Sequence, residues 1–302
     1  MVQVQSLEDT YLPQLQKLVN SHLSTLVPGW ALTTDYIASR LKENPDEYIL
    51  DPWVIERRTI VVEEQGTVSA AAHLLRYGNG PEVSKDYYEA GELEWFLAWP
   101  EAADSANALL EAVQEQMKRW QVKNYYAANN LPVPLAGGLP DVWPHIGSFL
   151  ERAGFYTKFT GTEALYGGDL PALEPQSNPP IPGIRIERHV DRDGPCFKVF
   201  HGEEEAGSFS IATDLSKGGQ LPALLGWGEL TDIQISENWR NRDLGSWLMR
   251  HVVSWLRLAG CSRVIFSVAS ENESLGADRF YRRFGWNVLA RLKKGWQHDL
   301  SQ

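Results

Sequence analysis

The stretch WRNRDLGSWLM, residues 239–249, places two arginines, an asparagine and an aspartate directly before an amphipathic helix. The apolar residues of this helix recur at helical spacing and are Leu244, Trp247, Leu248, Val252, Trp255 and Leu256. The first backbone N–H groups of a helix have no intrahelical partner, and the helix dipole is positive at that end. The stretch therefore predicts an anion-binding loop that leads into a helix.

The segments around this loop read as alternating strands and helices. A strand pattern, GELTDIQIS at 228–236, precedes the loop, and a second one, RVIFSVA at 263–269, follows the helix. A shorter helical segment, ADRFYRRFGW at 277–286, closes at Gly285. This order predicts an α/β protein of the α+β type, built on a mixed sheet.

The two halves of the chain resemble each other internally. Gly-Glu-Leu occurs at 91–93 and again at 228–230, and a strand, a turn, a helix and a strand follow each copy. The pattern Phe-x-x-x-x-Gly-aromatic occurs at 149–155 and at 280–286. We interpret this as a tandem duplication.

The duplication predicts three ranges along the chain. Residues 1–168 form the first domain and residues 184–302 the second. Residues 169–183 contain five prolines and are predicted to be a stiff connector between the two.

The loop and the segment after it resemble two motifs of the GCN5-related N-acetyltransferase (GNAT) family. That family carries Arg/Gln-x-x-Gly-x-Gly/Ala after its fourth strand. Here Arg240 stands at the first position and Gly245 at the last, while Asp243 replaces the middle glycine. Aspartate tolerates the left-handed backbone conformation better than most residues, which lets the turn survive. Downstream, Asn272, Tyr281 and then Phe-Gly-Trp at 284–286 match the second motif.

The resemblance implies two tandem GNAT-like acyl-coenzyme-A N-acyltransferase domains, with acetyl-coenzyme A as co-substrate and no metal. It implies that the C-terminal domain binds the cofactor through strand and loop residues, with Tyr281 as the acid that protonates the departing sulfur. The implied cofactor-binding residues are Ile233, Gln234, Ile235, Arg240, Asn241, Arg242, Asp243, Leu244, Gly245, Ser246 and Asn272.

A catalytic base is predicted on the strand before the loop. Glu229 is the first candidate, because family members that use a glutamate on this strand carry it at a similar spacing from the loop. Asp232 is the second candidate, and a water relay is the third. Simple strand alternation places Glu229 and Asp232 on opposite faces of the sheet, so we expect one of them to face the substrate.

The N-terminal copy lacks the corresponding chemistry. Its counterpart of the loop, WPEAADSANALL at 99–110, contains neither arginine nor glycine, and Leu150 stands where the second copy has Tyr281. We therefore interpret residues 1–168 as a degenerate copy. The C-terminal copy has its own gap, because only His189 to Cys196 separate its first two predicted strands, where the family usually has two helices.

Composition excludes several classes of function. The net charge of −11 argues against nucleic acid as the main partner. The two cysteines and seven histidines show no metal-ligand spacing. The sequence shows neither a signal peptide nor an apolar run of about 18 residues, so we expect a cytoplasmic protein without a membrane span.

The sequence thus predicts an acetyl-coenzyme-A-dependent N-acetyltransferase that acts on a primary amine of a small molecule or a peptide. Two alternatives stay open. One is a non-catalytic acyl-coenzyme-A sensor or interaction module. The other is an acyltransferase with another acyl donor, or with an oxygen or sulfur acceptor. The sequence leaves the oligomeric state open.

Overall fold

A computed structural model describes residues 2–133, 137–158, 161–173, 178–191 and 194–299. The chain forms two compact units. The N-terminal unit consists of Met1–Glu163 together with Ala290–Gln302, and the C-terminal unit consists of Ala164–Leu289. Within the described residues, no helix is both long and apolar enough to cross a lipid bilayer.

The N-terminal unit alternates strands with helices along most of its length. Its strands are β1 (Val2–Ser6), β2 (Val54–Glu64), β3 (Thr67–Tyr77), β4 (Gly91–Ala98), β5 (Tyr125–Ala127), β6 (Leu139–Pro140) and β7 (Phe155–Thr157). Its helices are α1 (Leu12–Leu26), α2 (Thr34–Arg40), α3 (Ala103–Trp120) and α4 (Pro144–Arg152).

Local sequence signals explain two of these elements. Gln65 and Gly66 both have positive φ, 55° and 81°, and they form the two-residue turn between β2 and β3. Thr33 caps α2, because its side chain accepts a hydrogen bond from the backbone N–H of Tyr36.

The C-terminal unit contains the arginine-rich stretch at residues 239–249. Its strands are β8 (Thr162–Asp169), β9 (Ile184–Asp191), β10 (Gly194–His201), β11 (Glu204–Ala212), β12 (Trp227–Ile235), β13 (Arg263–Ala269) and β14 (Asn287–Lys293). Its helices are α5 (Leu244–Leu258), α6 (Ser270–Asn272) and α7 (Asp278–Arg282). These strands lie in the order β14-β8-β13-β12-β11-β10-β9.

Apolar side chains of the sheet and of α5 form the core of the C-terminal unit. Phe197, Phe209 and Leu230 from three neighbouring strands are buried in one cluster with Leu248 and Val252 of the helix. Burying an apolar side chain contributes about 1.5–3 kcal/mol, so this helix face is a main source of stability for the unit.

The first two strands of the C-terminal unit are longer than the sequence suggests. Strand β9 pairs with β10 along its whole length, from Ile184 opposite His201 to Asp191 opposite Gly194. The expected eight-residue connection is therefore wrong, because only residues 192 and 193 separate the strands, and these two lie outside the described residues. A two-residue connection leaves no room for helices.

Part of the predicted connector packs onto the C-terminal unit. Leu170 is buried, its N–H donates to the Ser262 carbonyl at 2.8 Å, and its own carbonyl accepts from Arg257 at 2.9 Å. Residues 174–177 of the connector lie outside the described residues.

The last strand of the chain, β15 (Trp296–His298), belongs to the N-terminal unit. It lies between β5 and β7, with Trp296 opposite both Ala127 and Thr157. The sheet of this unit therefore has the order β1-β2-β3-β4-β5-β15-β7. These units differ from the predicted ranges 1–168 and 184–302 because the chain returns to its first sheet at its end.

The internal repeat is visible in the strand pairing. Each Gly-Glu-Leu copy takes part in a parallel pair with the following strand, with Gly91 opposite Tyr125 in one unit and Gly228 opposite Val264 in the other. Each copy is followed by a one-residue irregularity in the pairing with the preceding strand, at Glu94 and at Thr231. The two units thus share a mixed α/β fold down to the position of a bulge.

Candidate active site

The bulge in β12 brings the two candidate bases to the same face of the sheet. Leu230 lies opposite Ile211 and Asp232 lies opposite Ser210, so Thr231 has no partner on β11. Glu229 lies opposite Ala212, and Ser210 and Ala212 are two positions apart on one face. The expectation that Glu229 and Asp232 face opposite sides is therefore wrong, because the extra residue reverses the alternation between them.

Glu229 occupies a position largely withdrawn from water. Burial raises the pKa of its carboxyl to about 7, and the Lys217 ammonium opposes this shift. Asp232 is exposed on the same face, where Gln234 donates to its carboxylate at 3.3 Å. A carboxyl with a pKa near neutral pH is suited to accept and release a proton.

Strands β12 and β13 separate beyond Glu229. Their parallel pairing joins Trp227, Gly228 and Glu229 to residues 263–265. Further along β12, Ile233, Gln234 and Ile235 pair with Phe209, Ser208 and Gly207 of β11. Among the described residues they have no strand partner on the β13 side, so this edge offers backbone groups to an extended ligand.

Eight residues, 236–243, connect β12 to α5. Trp239 anchors this loop, because its ring is buried and its indole N–H donates to Glu204 at 2.9 Å. Arg242 stacks over that ring at 5.3 Å, and the Arg240 side chain donates to the Ile235 carbonyl at 3.2 Å. Both arginines are exposed, so two cations stand beside the start of α5.

Asn241 and Asp243 give the loop its turn. Both have φ of 59°, in the left-handed region that the sequence predicts for Asp243. The Asp243 side chain makes no capping hydrogen bond to α5, although aspartate at this position often does.

The first turn of α5 is free to bind an anion. The helix ladder begins with the Trp247 N–H donating to the Asp243 carbonyl, so the N–H groups of Leu244, Gly245 and Ser246 have no intrahelical partner. Leu244 is buried in the core and holds the helix start in place. A Cβ on Gly245 would lie 3.7 Å from Phe280 and 3.9 Å from Ile235, so loop, strand and α7 meet at this glycine.

Tyr281 lies on α7, next to Phe280. Its side chain is buried, and its ring centroid is 4.6 Å from that of Phe266 on β13. Burial, with the Asp232 carboxylate as a second cause, raises the pKa of its hydroxyl to about 12. Tyr281 is therefore protonated at neutral pH.

Asn272 is the candidate that the structure does not bring to the others. It is exposed at the end of α6, and none of the contacts among the described residues joins it to the loop or to Tyr281.

Sequence reasoning missed a tyrosine that supports this region. The Tyr166 hydroxyl donates to Glu273 at 2.9 Å and to Asp278 at 3.0 Å. Its ring stacks on Phe266 and lies 5.4 Å from Tyr281. Tyr166 thereby ties the segment that carries Tyr281 to β8. The signal in the sequence was weak, because a tyrosine in a strand is an ordinary residue.

The N-terminal unit has a different structure at the corresponding place. Only four residues, 99–102, connect β4 to α3. The carbonyl of Ala98, the last residue of β4, lies 3.1 Å from Nε2 of His22 and 3.1 Å from Nε2 of His145. Leu150, the counterpart of Tyr281, is buried in the core.

One protein-family model matches the C-terminal part of the chain. Residues 164–286 match the model of the acetyltransferase (GNAT) family. The sequence matches none of the curated proteins with which it was compared.

Three solved structures resemble the chain over nearly its whole length. A tandem GNAT protein from the clavulanic acid biosynthesis pathway is 14% identical, with a TM-score of 0.62 and 98% of each chain covered. A GCN5-related N-acetyltransferase from Sphaerobacter thermophilus is 12% identical, with a TM-score of 0.63 and coverage of 98% of this chain and 94% of the other. The glucosamine N-acetyltransferase region of a fungal multi-domain GH3 β-N-acetylglucosaminidase is 13% identical, with a TM-score of 0.64. This match covers 99% of this chain and 38% of that one. At these identities the likeness establishes a shared fold.

Proposed function

Residues 164–286 form a domain of the GNAT acetyltransferase family within a chain of tandem GNAT fold, and from this premise we propose that the protein transfers an acetyl group from acetyl-coenzyme A to a primary amine. The acceptor class is a small molecule or a peptide. The reaction belongs to the C-terminal unit.

One observation carries the proposal. The loop 236–243 presents two exposed arginines beside three unpartnered N–H groups at the start of α5, and it follows the strand that carries Glu229. A pyrophosphate bound at the helix N-terminus would direct the pantetheine arm along the open edge of β12. That edge runs from Ile235 back toward Glu229, so the thioester would lie near Glu229, Asp232 and Tyr281.

The proposed reaction needs one proton acceptor and one proton donor. The Glu229 carboxylate, directly or through water, takes a proton from the protonated amine, and Asp232 on the same face is the alternative acceptor. The amine nitrogen then bonds to the carbonyl carbon, and the carbon–sulfur bond breaks as the tetrahedral intermediate collapses. Tyr281 gives its proton to the sulfur and takes up the second proton of the nitrogen, and Glu229 releases the first proton to solvent, leaving an N-acetylated amine and free coenzyme A.

Asp243 favours a second candidate function. A carboxylate in the phosphate-binding loop opposes binding of a pyrophosphate, and its exposed side chain is not used as a helix cap. A module that senses acyl-coenzyme A without catalysis would tolerate such a weakened site. Transfer from another acyl donor, or to an oxygen or sulfur acceptor, would use the same groups.

An acetyl-coenzyme-A turnover screen tests the proposal. The full chain is assayed for release of free thiol with amines, amino sugars, peptides and polyamines, with acetylated product identified by mass spectrometry. Tyr281→Phe serves as the matched control, since it removes the proposed proton donor and keeps the ring. If the wild type acetylates an acceptor and Tyr281→Phe does so more slowly, the result supports an enzyme. Coenzyme A binding without turnover of any acceptor would favour the sensor.

A further inference from the structure

A second group of acidic side chains lies in the N-terminal unit, on the strand that corresponds to β12. Glu92 is the counterpart of Glu229, and Glu94 is the bulge residue of β4. Glu92 lies opposite Leu75 on β3 and beside Tyr126 on β5. The Glu94 carboxylate lies 3.5 Å from His73, which is two positions from Leu75, so both carboxyls share one face of the sheet.

These carboxyls are poorly paired for their degree of burial. Glu92 is 4% exposed, and among the described residues its carboxyl accepts a hydrogen bond from the Tyr77 hydroxyl at 3.2 Å. Burial raises the pKa of Glu92 to about 7, and burial together with Glu92 raises the pKa of Glu94 to about 8. The nearby Arg57 is paired with Asp51 and does not neutralise both carboxyls.

Two buried polar side chains beside Glu94 have unused hydrogen-bonding capacity. His73 is 1% exposed, and within the described part of the chain its Nε2 atom, on the Glu94 side, has no hydrogen-bond partner. Its Nδ1 atom is 2.8 Å from the Thr59 hydroxyl, and burial lowers the pKa of the ring to about 3, so His73 is neutral. A buried polar atom without a partner is costly, which points to a ligand at this place.

Asn129 is a second buried polar side chain without a hydrogen-bond partner among the described residues. It is 5% exposed, and neither atom of its amide group has a hydrogen-bond partner among the described residues. It lies between Ala128 and Asn130, whose N–H groups donate to the carbonyls of Leu93 at 3.1 Å and Glu94 at 2.6 Å. The backbone on either side of Asn129 therefore hydrogen-bonds to β4 at the acidic bulge.

Aromatic rings border the carboxyls on the same face. The ring of Tyr87 lies 5.0 Å from Tyr77, 5.5 Å from Tyr126 and 5.8 Å from Trp53. Tyr77 donates to Glu92, and Tyr126 lies beside Glu92 on β5, so this group of rings is near the carboxyl. Aromatic faces attract cations and accommodate alkyl chains.

We propose that the N-terminal unit binds a primary aliphatic amine, as its ammonium ion, between Glu92 and Glu94. An ammonium group has three N–H donors and no acceptor. The two carboxylates can accept two of these hydrogen bonds, and His73 Nε2 or the Asn129 amide oxygen can accept the third. The alkyl chain would lie along Tyr87 and Tyr126. The site is independent of the function proposed for the C-terminal unit.

The test is a calorimetric titration of the full chain with 1,4-diaminobutane, using 1,4-butanediol as the uncharged analogue. Glu92→Gln and Glu94→Gln each remove one carboxylate. Glu111→Gln makes the same chemical change at an exposed position of α3, outside both proposed sites, and is the matched control. Glu94 is partly exposed, so Glu94→Gln keeps the test valid if Glu92→Gln does not fold.

The proposal expects the diamine to bind the wild type and Glu111→Gln, and the diol not to bind. Glu94→Gln should weaken this binding by about tenfold to hundredfold, the scale for a hydrogen bond to a charged group. The proposal is overturned if the diamine does not bind the wild type, if Glu94→Gln binds it as tightly, or if the diol binds equally well. Loss of all binding in Glu111→Gln would also overturn it.

Discussion

Strands β4 and β12 begin alike and end differently. Both carry Gly-Glu-Leu near their start, pair in parallel with the next strand at its glycine and glutamate, and bulge three residues after the glycine. Strand β4 then enters a four-residue turn, whereas β12 enters an eight-residue loop with two arginines. The strand pairing was kept in both copies because the fold depends on it. The loop, which bears no core residues except its Trp239 anchor, was free to differ.

The difference between the two units also changes the role of the buried glutamate. Glu229 lies on a strand that leads to the proposed anion-binding helix start, so in our proposal its carboxyl takes part in proton transfer. Glu92 has no such loop downstream and has a second carboxyl, Glu94, beside it. One position of the repeat thus supports two proposals, catalysis in the C-terminal unit and amine binding in the N-terminal unit.

The largest effect is expected from the double variant Arg240→Ala and Gly245→Trp. It removes a loop cation and fills the space at the start of α5, so coenzyme A binding should be lost. In the wild type, coenzyme A at a hundredfold excess over its dissociation constant should raise the free energy of unfolding by about 2.7 kcal/mol, measured by thermal or chemical denaturation. Arg119→Ala, on the corresponding helix α3, should keep this protection. Full protection in the double variant would contradict the assignment of the loop.

The next effect concerns the proton donor. Tyr281→Phe should lower kcat about 10²-fold, the usual scale for a positioned acid, with coenzyme A affinity nearly unchanged. Tyr125→Phe is the matched change in the N-terminal unit, because that buried hydroxyl has no partner among the described residues and its loss breaks no hydrogen bond. If Tyr281→Phe turns over at the wild-type rate, the hydroxyl only fills space.

A smaller effect should appear in the pH profile. Glu229 acts as a base only when ionised, so wild-type turnover should fall as the pH falls through about 7, the pKa that burial gives this carboxyl. Glu229→Gln should lower turnover about tenfold or more above that pH and should lose this limb of the profile. Glu92→Gln should keep the limb. An unchanged profile in Glu229→Gln would transfer the role to Asp232 or to water.

The smallest effect is expected at Asp243. Glycine adopts a φ of 59° without strain and carries no charge, so Asp243→Gly should tighten coenzyme A binding by roughly twofold to fivefold. Asn241 has the same φ, so Asn241→Gly tests conformation without a change of charge. Equal tightening in both variants would show that backbone conformation, and not the carboxylate, limits affinity.

The sequence predicted most of the helices and strands, and it predicted the order in which the candidate site residues follow one another along them. Gly66, Gly154, Gly260 and Gly285 all have the positive φ expected where a turn follows a strand or a helix. The apolar stripe of α5 predicted its buried face, because an amphipathic helix must cover a sheet. The resemblance in the loop is supported by the family match over residues 164–286.

Other features depend on contacts between residues that are distant in the sequence. The bulge at Thr231 reverses the side-chain alternation of β12, and no local pattern in GELTDIQIS marks it. Strand β15 pairs with β5 and β7, more than 130 residues earlier, through only three residues. Glu92 and Glu94 read as ordinary strand residues until His73 and Asn129 are placed beside them.

Hydrogen–deuterium exchange with and without acetyl-coenzyme A tests the central claim most directly, because it reads both units in one experiment. The claim is that the cofactor binds the C-terminal unit at the end of β12 and the start of α5, and not the N-terminal unit. Protection should appear in peptides covering residues 233–246 and be absent from the corresponding residues 96–106. Protection of 96–106 equal to that of 233–246, or none at 233–246 under saturating cofactor, would contradict the account.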